Sequence, residues 1–314
     1  MEPPDLKRVA VYGAGAVGCY FGARLAEAGT PVTLIGRAAH VDAIRRDGLL
    51  FESGGAQRRI RIDAETRPEA VRDADAVLFC VKTRDTDAAA RQLVPLLRPG
   101  AVVVSLQNGV DNVERMRTSG IDALGAVVYV AAAMTGLGHL RHSGRGDLVV
   151  GEYGVAAPGP SERVHEVAAL FERCGVPCRI ETDIRVGLWN KLVTNCAYNA
   201  ISALARSRYG PMLADAGTRG LMREAIAECV AVAHAEGIAI GDAGTQYDAA
   251  IELGKAMTGA SSSTAQDLAQ GRLTEIDSLN GYVATRGEAL GVATPVNRAL
   301  ATLVRLLERQ VTAS

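Results

Sequence analysis

Aromatic side chains are scarce. One tryptophan, eight tyrosines and four phenylalanines make up 4% of the 314 residues, so the cores must be built from aliphatic side chains. There is no basic excess either: 34 Lys and Arg stand against 35 Asp and Glu, a formal net charge of −1. That balance argues against a dedicated nucleic-acid binder. No charge-free apolar run reaches the roughly 18 residues that a membrane-spanning helix needs, so no membrane partner is expected. The opening Met-Glu-Pro-Pro-Asp stretch lacks the basic and apolar regions of a secretory signal. The six cysteines (Cys19, Cys80, Cys174, Cys178, Cys196 and Cys229) follow neither a zinc nor a thioredoxin spacing. Most fall in apolar runs, where a free thiol behaves as a small hydrophobe. The expectation is a cytoplasmic, reduced protein without a metal site. No internal repeat is present, and the only low-complexity stretch is Ser261-Ser262-Ser263.

Glycine is abundant at 34 residues, which implies tight turns and close backbone approaches. The apolar fraction of 48% and charged fraction of 22% are ordinary for a globular chain, and the length suits about two domains. In the first half, short runs rich in β-branched residues alternate with helical segments. Val9-Ala10-Val11-Tyr12, Val32-Thr33-Leu34-Ile35, the run 76–81 and the run 101–105 read as strands buried on both faces of a parallel sheet. Further strands are expected at 126–131, 148–150 and 176–180, with 138–146 as a hairpin connection in an antiparallel extension. From Asp183 onward the pattern is helical almost to the end, with glycine turns near Gly210, Gly237, Gly259 and Gly291. The expected architecture is α/β: an N-terminal doubly wound sheet of Rossmann type over residues 1–181, and an all-helical domain over residues 182–314. Two domains of this kind imply a cleft between them.

The string Gly13-Ala14-Gly15-Ala16-Val17-Gly18 follows the first strand and opens a helix over 17–28, which Gly29 ends. In that setting G-x-G-x-x-G has a physical meaning. The first glycine permits the tight turn, the second lets a pyrophosphate approach the backbone, and the third lets helix and sheet pack closely. A purely structural glycine turn is the bland alternative. Dinucleotide sites that take NAD place an acid at the end of the second strand, for the ribose 2′-hydroxyl. Here that strand ends Leu34-Ile35-Gly36-Arg37 and no acid occurs before Asp42. Arg37 could clamp a 2′-phosphate, which favours NADP, or it could be a solvated surface residue. Lys82 and Gln107-Asn108-Gly109 follow the next two strands, on the rim where this fold binds ligands, although either could be a strand terminator.

In the second half, segment 184–204 is apolar around most of its circumference. Lys191, Asn195 and Asn199 nevertheless recur at i, i+4 and i+8, along one stripe. Asparagine is a mediocre helix former and an unusual choice for a solvent face, so a ligand-facing stripe competes well with a plain exposed one. Ser263-Thr264-Ala265-Gln266 matches a capping box opening a helix that carries Thr274-Glu275-Ile276-Asp277. By itself Ser263 needs no role beyond the cap, and Glu275 none beyond surface charge.

Taken together, these residues resemble the ketopantoate reductase (2-dehydropantoate 2-reductase) family over nearly the whole chain. Gly13–Gly18, Val81-Lys82, Gln107-Asn108-Gly109, Leu188-Trp189-Asn190-Lys191-Leu192, Asn195, Asn199, Gln266-Asp267, Thr274-Glu275-Ile276-Asp277 and Thr294-Pro295-Val296-Asn297 stand in family order. The resemblance implies NADPH-dependent reduction of a small 2-keto acid, a step of pantothenate biosynthesis. It implies that Gly13, Ala14, Gly15, Ala16, Val17 and Gly18 hold the cofactor and that Arg37 holds its 2′-phosphate. It further implies that Lys82 and Asn108 line the cofactor and substrate cleft, and that Lys191 is the general acid. Asn195, Asn199 and Ser263 would be substrate contacts, and Glu275 a catalytic, cofactor-side carboxylate. One departure stands out. Many members carry Pro-Ser followed by bulky apolar residues where this chain has Ser262-Ser263-Thr264-Ala265, and smaller residues there could enlarge the pocket. A reductase of another 2-keto acid or ketone, and a non-catalytic NADP sensor, are the competing readings; a sensor has no use for a proton donor. A helical second domain could form a homodimer, although no exposed heptad seam is evident.

Overall fold

The computed structural model describes residues 6–154 and 159–312, so the opening segment read above for a secretory signal lies outside the described residues. The chain divides into two compact units, one ending at Gly187 and the other beginning at Leu188.

Unit 1 runs β1 (Val9–Tyr12), α1 (Ala16–Glu27), β2 (Val32–Ile35), α2 (Ala38–Asp47), β3 (Leu49–Ser53), β4 (Ala56–Ile60), β5 (Asp63–Glu65), β6 (Ala76–Phe79), α3 (Thr86–Leu93), β7 (Val102–Ser105), α4 (Asn112–Thr118), β8 (Leu124–Gly136), β9 (His139–Gly151), α5 (Glu162–Arg173) and β10 (Cys178–Glu181). These strands form one mixed sheet in the order β4-β3-β9-β8-β7-β6-β1-β2-β5, with β10 pairing β9. The pairs β7–β6, β6–β1, β1–β2 and β2–β5 are all parallel. Alternation along β1 explains why the sheet is covered on both sides. Val9 and Val11 enter a core with Phe21 and Leu25 of α1 and Val167 and Phe171 of α5. Ala10 and Tyr12 point the other way, into a core with Ala90 and Leu93 of α3 and Val113 and Met116 of α4. A strand that buries successive residues on opposite faces must be apolar throughout, as these are. This is the doubly wound arrangement expected, with an antiparallel β8–β9 hairpin appended.

Three features differ from expectation. The hairpin connection is only Leu137-Gly138; residues from His139 onward are already in β9, and the glycines at 144 and 146 sit within the strand near a register shift rather than in a loop. The antiparallel pair β3–β4 and the short β5 were not anticipated. The cap of the helix at 263 is Ser262, whose Oγ accepts the Ala265 N–H at 3.1 Å, and that helix ends at Ala269, well short of Glu275.

Unit 2 is all helical. The long α6 (Ile184–Leu204) brings the chain into it, followed by α7 (Tyr209–Ala214), α8 (Ala216–Ala235), α9 (Ala243–Ala256), α10 (Ser263–Ala269), α11 (Asn280–Leu290) and α12 (Pro295–Thr312). Aspartates cap α8 and α9: Asp215 accepts the Thr218 N–H at 2.6 Å and Asp242 the Thr245 N–H at 2.9 Å. Gly291 ends α11 in the left-handed region at φ 69°. Trp189, Leu192, Val193, Cys196 and Tyr198 of α6 are buried, and the Tyr198 hydroxyl donates to the Ala250 carbonyl at 2.8 Å. The paired amides of Asn280 and Asn297 (2.9 Å) tie α11 to α12, and Asn280 also donates to the Cys196 carbonyl of α6 at 3.1 Å. Among the described residues no helix is long and apolar enough to cross a membrane.

Candidate active site

In unit 1 the candidate residues lie along one rim. β2, β1, β6 and β7 are consecutive parallel neighbours, so their C-terminal ends face one way, at about 4.8 Å per strand. In that order the rim carries Arg37, the glycine loop, Lys82 and Asn108. The chain runs from β1 to β2 on one side, while β6 joins β1 on the other. This is the topological switch where open α/β sheets leave a crevice for a ligand.

Each glycine of the loop has a separate reason to be glycine. At Gly13 (φ 115°) a Cβ would stand 2.7 Å from the backbone of Cys80 and Val81, so the turn lies directly against the end of β6. At Gly18 a Cβ would meet Val11 Cγ1 at 2.8 Å, which is how α1 packs onto β1. At Gly15, the N-cap of α1, a Cβ would meet nothing within 4 Å among the described residues. Protein packing does not require glycine there, and open space in front of a helix N-terminus suits a pyrophosphate. The first helical bond runs from the Cys19 N–H to the Gly15 carbonyl at 2.8 Å, so the N–H groups of Ala16, Val17 and Gly18 lack acceptors within the helix.

Arg37 is the N-cap of α2, exposed, and forms no ion pair among the described residues. Gly36 brings the end of β2 close to the loop, since a Cβ there would lie 2.8 Å from Ala14 Cβ. Behind this corner, His40 Nδ1 accepts the Gly138 N–H at 3.0 Å and its Nε2 lies 3.4 Å from Cys19 Sγ. Burial and the neighbouring Arg37 lower the His40 pKa, so the ring is a neutral support. Burial pushes the Cys19 thiol up to about 12 and also raises Cys80, which makes both a thiol wall to the loop rather than nucleophiles. All six cysteines are free thiols.

Lys82 is exposed and Asn108 half-buried, and the loops that carry them are fastened to each other. Asn108 O accepts from Thr83 Oγ1 at 2.9 Å and from Asn112 Nδ2 at 2.7 Å. Gln107, which is buried, donates from Nε2 to the Val81 carbonyl at 3.1 Å and to Thr86 Oγ1 at 2.7 Å. Sequence reasoning singled out Gln107 only as part of a polar strand end and missed Thr83, Thr86 and Asn112. The available signal was three short polar residues, each within four positions of a candidate ligand residue.

Unit 2 carries the second group. Lys191 and Asn195 are half-buried and Asn199 is buried, along one stripe of α6. Beside the stripe, Gln246 of α9 donates to Asn190 Oδ1 at 2.7 Å. Asn199 Nδ2 reaches Ser263 Oγ at 3.5 Å, so those two predicted residues are brought together. The agent is Ser262, whose Oγ also donates to the Asn199 carbonyl at 3.1 Å and so fastens the start of α10 to α6. Glu275 is half-buried at the cap of a short 3-10 turn, Ile276–Ser278. That turn is held to α12 by Glu308, which accepts from both the N–H and the hydroxyl of Thr274 at 2.6 Å.

Comparison with known proteins extends over both units. Residues 9–154 match the family described as ketopantoate reductase PanE/ApbA, and residues 183–308 match its C-terminal counterpart. The 2-dehydropantoate 2-reductase of Halobacterium salinarum is 35% identical over 306 residues, 96% of this chain and 99% of its own. The crystal structure of a PanE/ApbA family ketopantoate reductase from Ralstonia eutropha JMP134 superposes with a TM-score of 0.90 at 45% identity, covering 97% of this chain and 99% of that one. D-mandelate dehydrogenase, solved with NADH and anilino(oxo)acetate, shares the fold at TM-score 0.89 and 23% identity, over 97% of this chain and 99% of its own. Matched on both units and by relatives of its own length, the chain belongs to the ketopantoate reductase family of oxidoreductases that act on a CH–OH group.

Proposed function

We propose that the protein reduces 2-dehydropantoate to pantoate with NADPH, a step of pantothenate biosynthesis in the cytoplasm. The observation that carries this reading is the Lys191–Asn195–Asn199 stripe with Ser263 against Asn199, in a chain that matches the family from end to end. Bound NADPH would supply the hydride to the 2-keto carbon. The glycine loop and the first turn of α1 would hold its pyrophosphate, and Arg37 its 2′-phosphate, with no acidic residue at that strand end to favour NAD. Lys82 and Asn108 would line the nicotinamide side of the rim. Negative charge grows on the keto oxygen as the carbon is reduced. Lys191 Nζ stabilises that charge and donates the proton that completes the alcohol. Asn195, Asn199 and Ser263 offer amide and hydroxyl groups to the carboxylate and hydroxyl ends of a 2-keto-4-hydroxy acid. Glu275 offers a carboxylate to a hydroxyl of cofactor or substrate.

A second reading keeps the chemistry and changes the keto acid. It is favoured by Ser262-Ser263-Thr264-Ala265, whose residues are smaller than the bulky apolar ones that many members carry there. Steady-state oxidation of NADPH and NADH against 2-dehydropantoate, 2-ketoisovalerate, pyruvate and benzoylformate separates the two. The proposal expects the highest kcat/KM with 2-dehydropantoate and NADPH. A higher value with another acid would transfer the assignment to that acid, and no turnover with any would leave the sensor reading.

A further inference from the structure

We propose that Thr86 is a positioning residue for the reaction: through one directed chain of buried hydrogen bonds it holds the loops that carry Lys82 and Asn108 in a fixed relation. This inference rests on the assignment of Lys82 and Asn108 to the cofactor and substrate site.

β6 ends at Phe79 and β7 at Ser105, and just past the end of β7 the Leu106 N–H still donates to the Phe79 carbonyl, at 3.0 Å. Both candidate ligand residues come after that point, where the sheet no longer sets the spacing. Side chains set it instead. Ser105 Oγ donates to Gln107 Oε1 at 3.0 Å, and Gln107 Nε2 donates to Thr86 Oγ1 at 2.7 Å and to the Val81 carbonyl at 3.1 Å. Thr86 Oγ1 donates to Asn112 Oδ1 at 2.9 Å, and Asn112 Nδ2 donates to the Asn108 carbonyl at 2.7 Å. Thr83 Oγ1 adds a second donor to that carbonyl at 2.9 Å.

The chain has a single direction. The Thr86 hydroxyl has one proton and gives it to Asn112, so Gln107 must present its NH₂ to Thr86 and its oxygen to Ser105. Both amide orientations are fixed by carbonyls that can only accept, Val81 for Gln107 and Asn108 for Asn112, and the Thr86 hydroxyl is the link that joins the two. The two ends of the chain are the peptide that leads into Lys82 and the carbonyl of Asn108 itself, which is followed by Gly109 at φ 94°. Thr83, Thr86, Ser105, Gln107 and Asn112 are all buried. A well-packed apolar cluster could fill the same space without desolvating five polar side chains, so what the chain adds is orientation rather than net stability. Support of this kind is what a site needs when its ligand-binding side chains sit on loops.

The test is a double-mutant cycle on the full-length protein, read as kcat/KM for NADPH-dependent reduction of 2-dehydropantoate, together with Tm. Thr86→Val keeps the shape and removes both roles of the hydroxyl. It is expected to lower kcat/KM by about 10–100-fold, and Thr86→Ser, which keeps the hydroxyl, to return within about threefold of wild type. In an Asn108→Ala background the Thr86→Val penalty is expected to shrink at least threefold, because the group being positioned is gone. Should Thr86→Val fail to fold, Asn112→Asp, which replaces the donor to the Asn108 carbonyl with an oxygen, gives the same reading from the other end. Wild-type kcat/KM in Thr86→Val, or a penalty undiminished in the Asn108→Ala background, overturns the positioning role alone. Wild-type activity in Asn108→Ala and Lys82→Ala would instead remove the assignment of those two residues, and the positioning role with it.

Discussion

Gly13 and Cys80 meet backbone to backbone: a Cβ on Gly13 would stand 2.7 Å from the Cys80 carbonyl carbon, at a φ of 115° that side chains rarely adopt. Gly15, two residues on, has an ordinary φ of −86° and open space where its Cβ would be. The two glycines should therefore fail differently. Gly13→Ala is expected to destabilise the protein by about 3 kcal/mol or more, through strain and the clash with β6. Gly15→Ala is expected to leave Tm within about 2 °C of wild type while NADPH affinity falls at least tenfold, because its methyl group occupies the space of the pyrophosphate. Thermal melts with and without NADPH read both. Equal affinity in Gly15→Ala and wild type would remove the loop from cofactor binding.

Under the proposed function, Arg37 would decide between nucleotides. Without an ion-pair partner among the described residues, its guanidinium is available to a 2′-phosphate, a charge-assisted contact worth roughly 1.5–3 kcal/mol. Arg37→Ala should weaken NADPH binding by about one to two orders of magnitude and leave NADH nearly unchanged. Titrations with the two nucleotides check this, and equal loss for both would make Arg37 a structural residue.

Glu181 should impose a pH dependence on stability. Its Oε2 is buried without a hydrogen-bond partner among the described residues, and burial raises its pKa, an effect partly offset by the Gly187 backbone N–H and Arg179. A carboxyl whose pKa is higher in the folded state holds its proton more tightly there. The group costs nothing below the unfolded pKa, and the cost grows as pH rises through the folded value. Glu181→Gln should therefore raise Tm at about pH 8 and give a smaller gain, or none, at about pH 4. A gain that is the same at both pH values would show that ionisation is not involved.

What could be read from the sequence divides along a physical line. β1 and β2 match the expected residues because a strand buried on both faces must be continuously apolar, and the glycine loop follows from local chain geometry. β4 was not legible. Its Gln57, Arg58 and Arg59 are exposed, and the strand exists because β3 pairs with it. The α6 stripe was legible because it depends on helical spacing, whereas Ser262 is set apart from Ser263 by bonds to the Asn199 carbonyl and the Ser202 hydroxyl, which lie far away in sequence. For the same reason the bonding order of the Thr86 chain was not legible, although its short polar residues stand near Lys82 and Asn108 in the sequence. Thr86 and Gln107 are 21 positions apart, and only the parallel pairing of β6 with β7 brings them together.

Lys191 carries the most direct prediction about chemistry. In the proposed role of general acid it would act on the chemical step, while the glycine loop and Arg37 would hold the cofactor independently of it. Lys191→Ala should then leave NADPH affinity and Tm close to wild type and lower kcat by about 10²–10⁴, or roughly 3–5 kcal/mol of transition-state stabilisation. KM for the keto acid should rise as well, because in the proposed role the ammonium would polarise the keto oxygen before the hydride arrives. Asn195→Ala, one turn along the stripe, should raise KM more than it lowers kcat, since an amide that binds the substrate contributes about equally to ground and transition states. A purely structural lysine would behave in the opposite way, with folding damaged and turnover per folded molecule retained. The measurement is kcat on folded, NADPH-saturated variant with 2-dehydropantoate. Even modest general-acid contributions are of order 10², so a loss below about fivefold would take Lys191 out of the acid role.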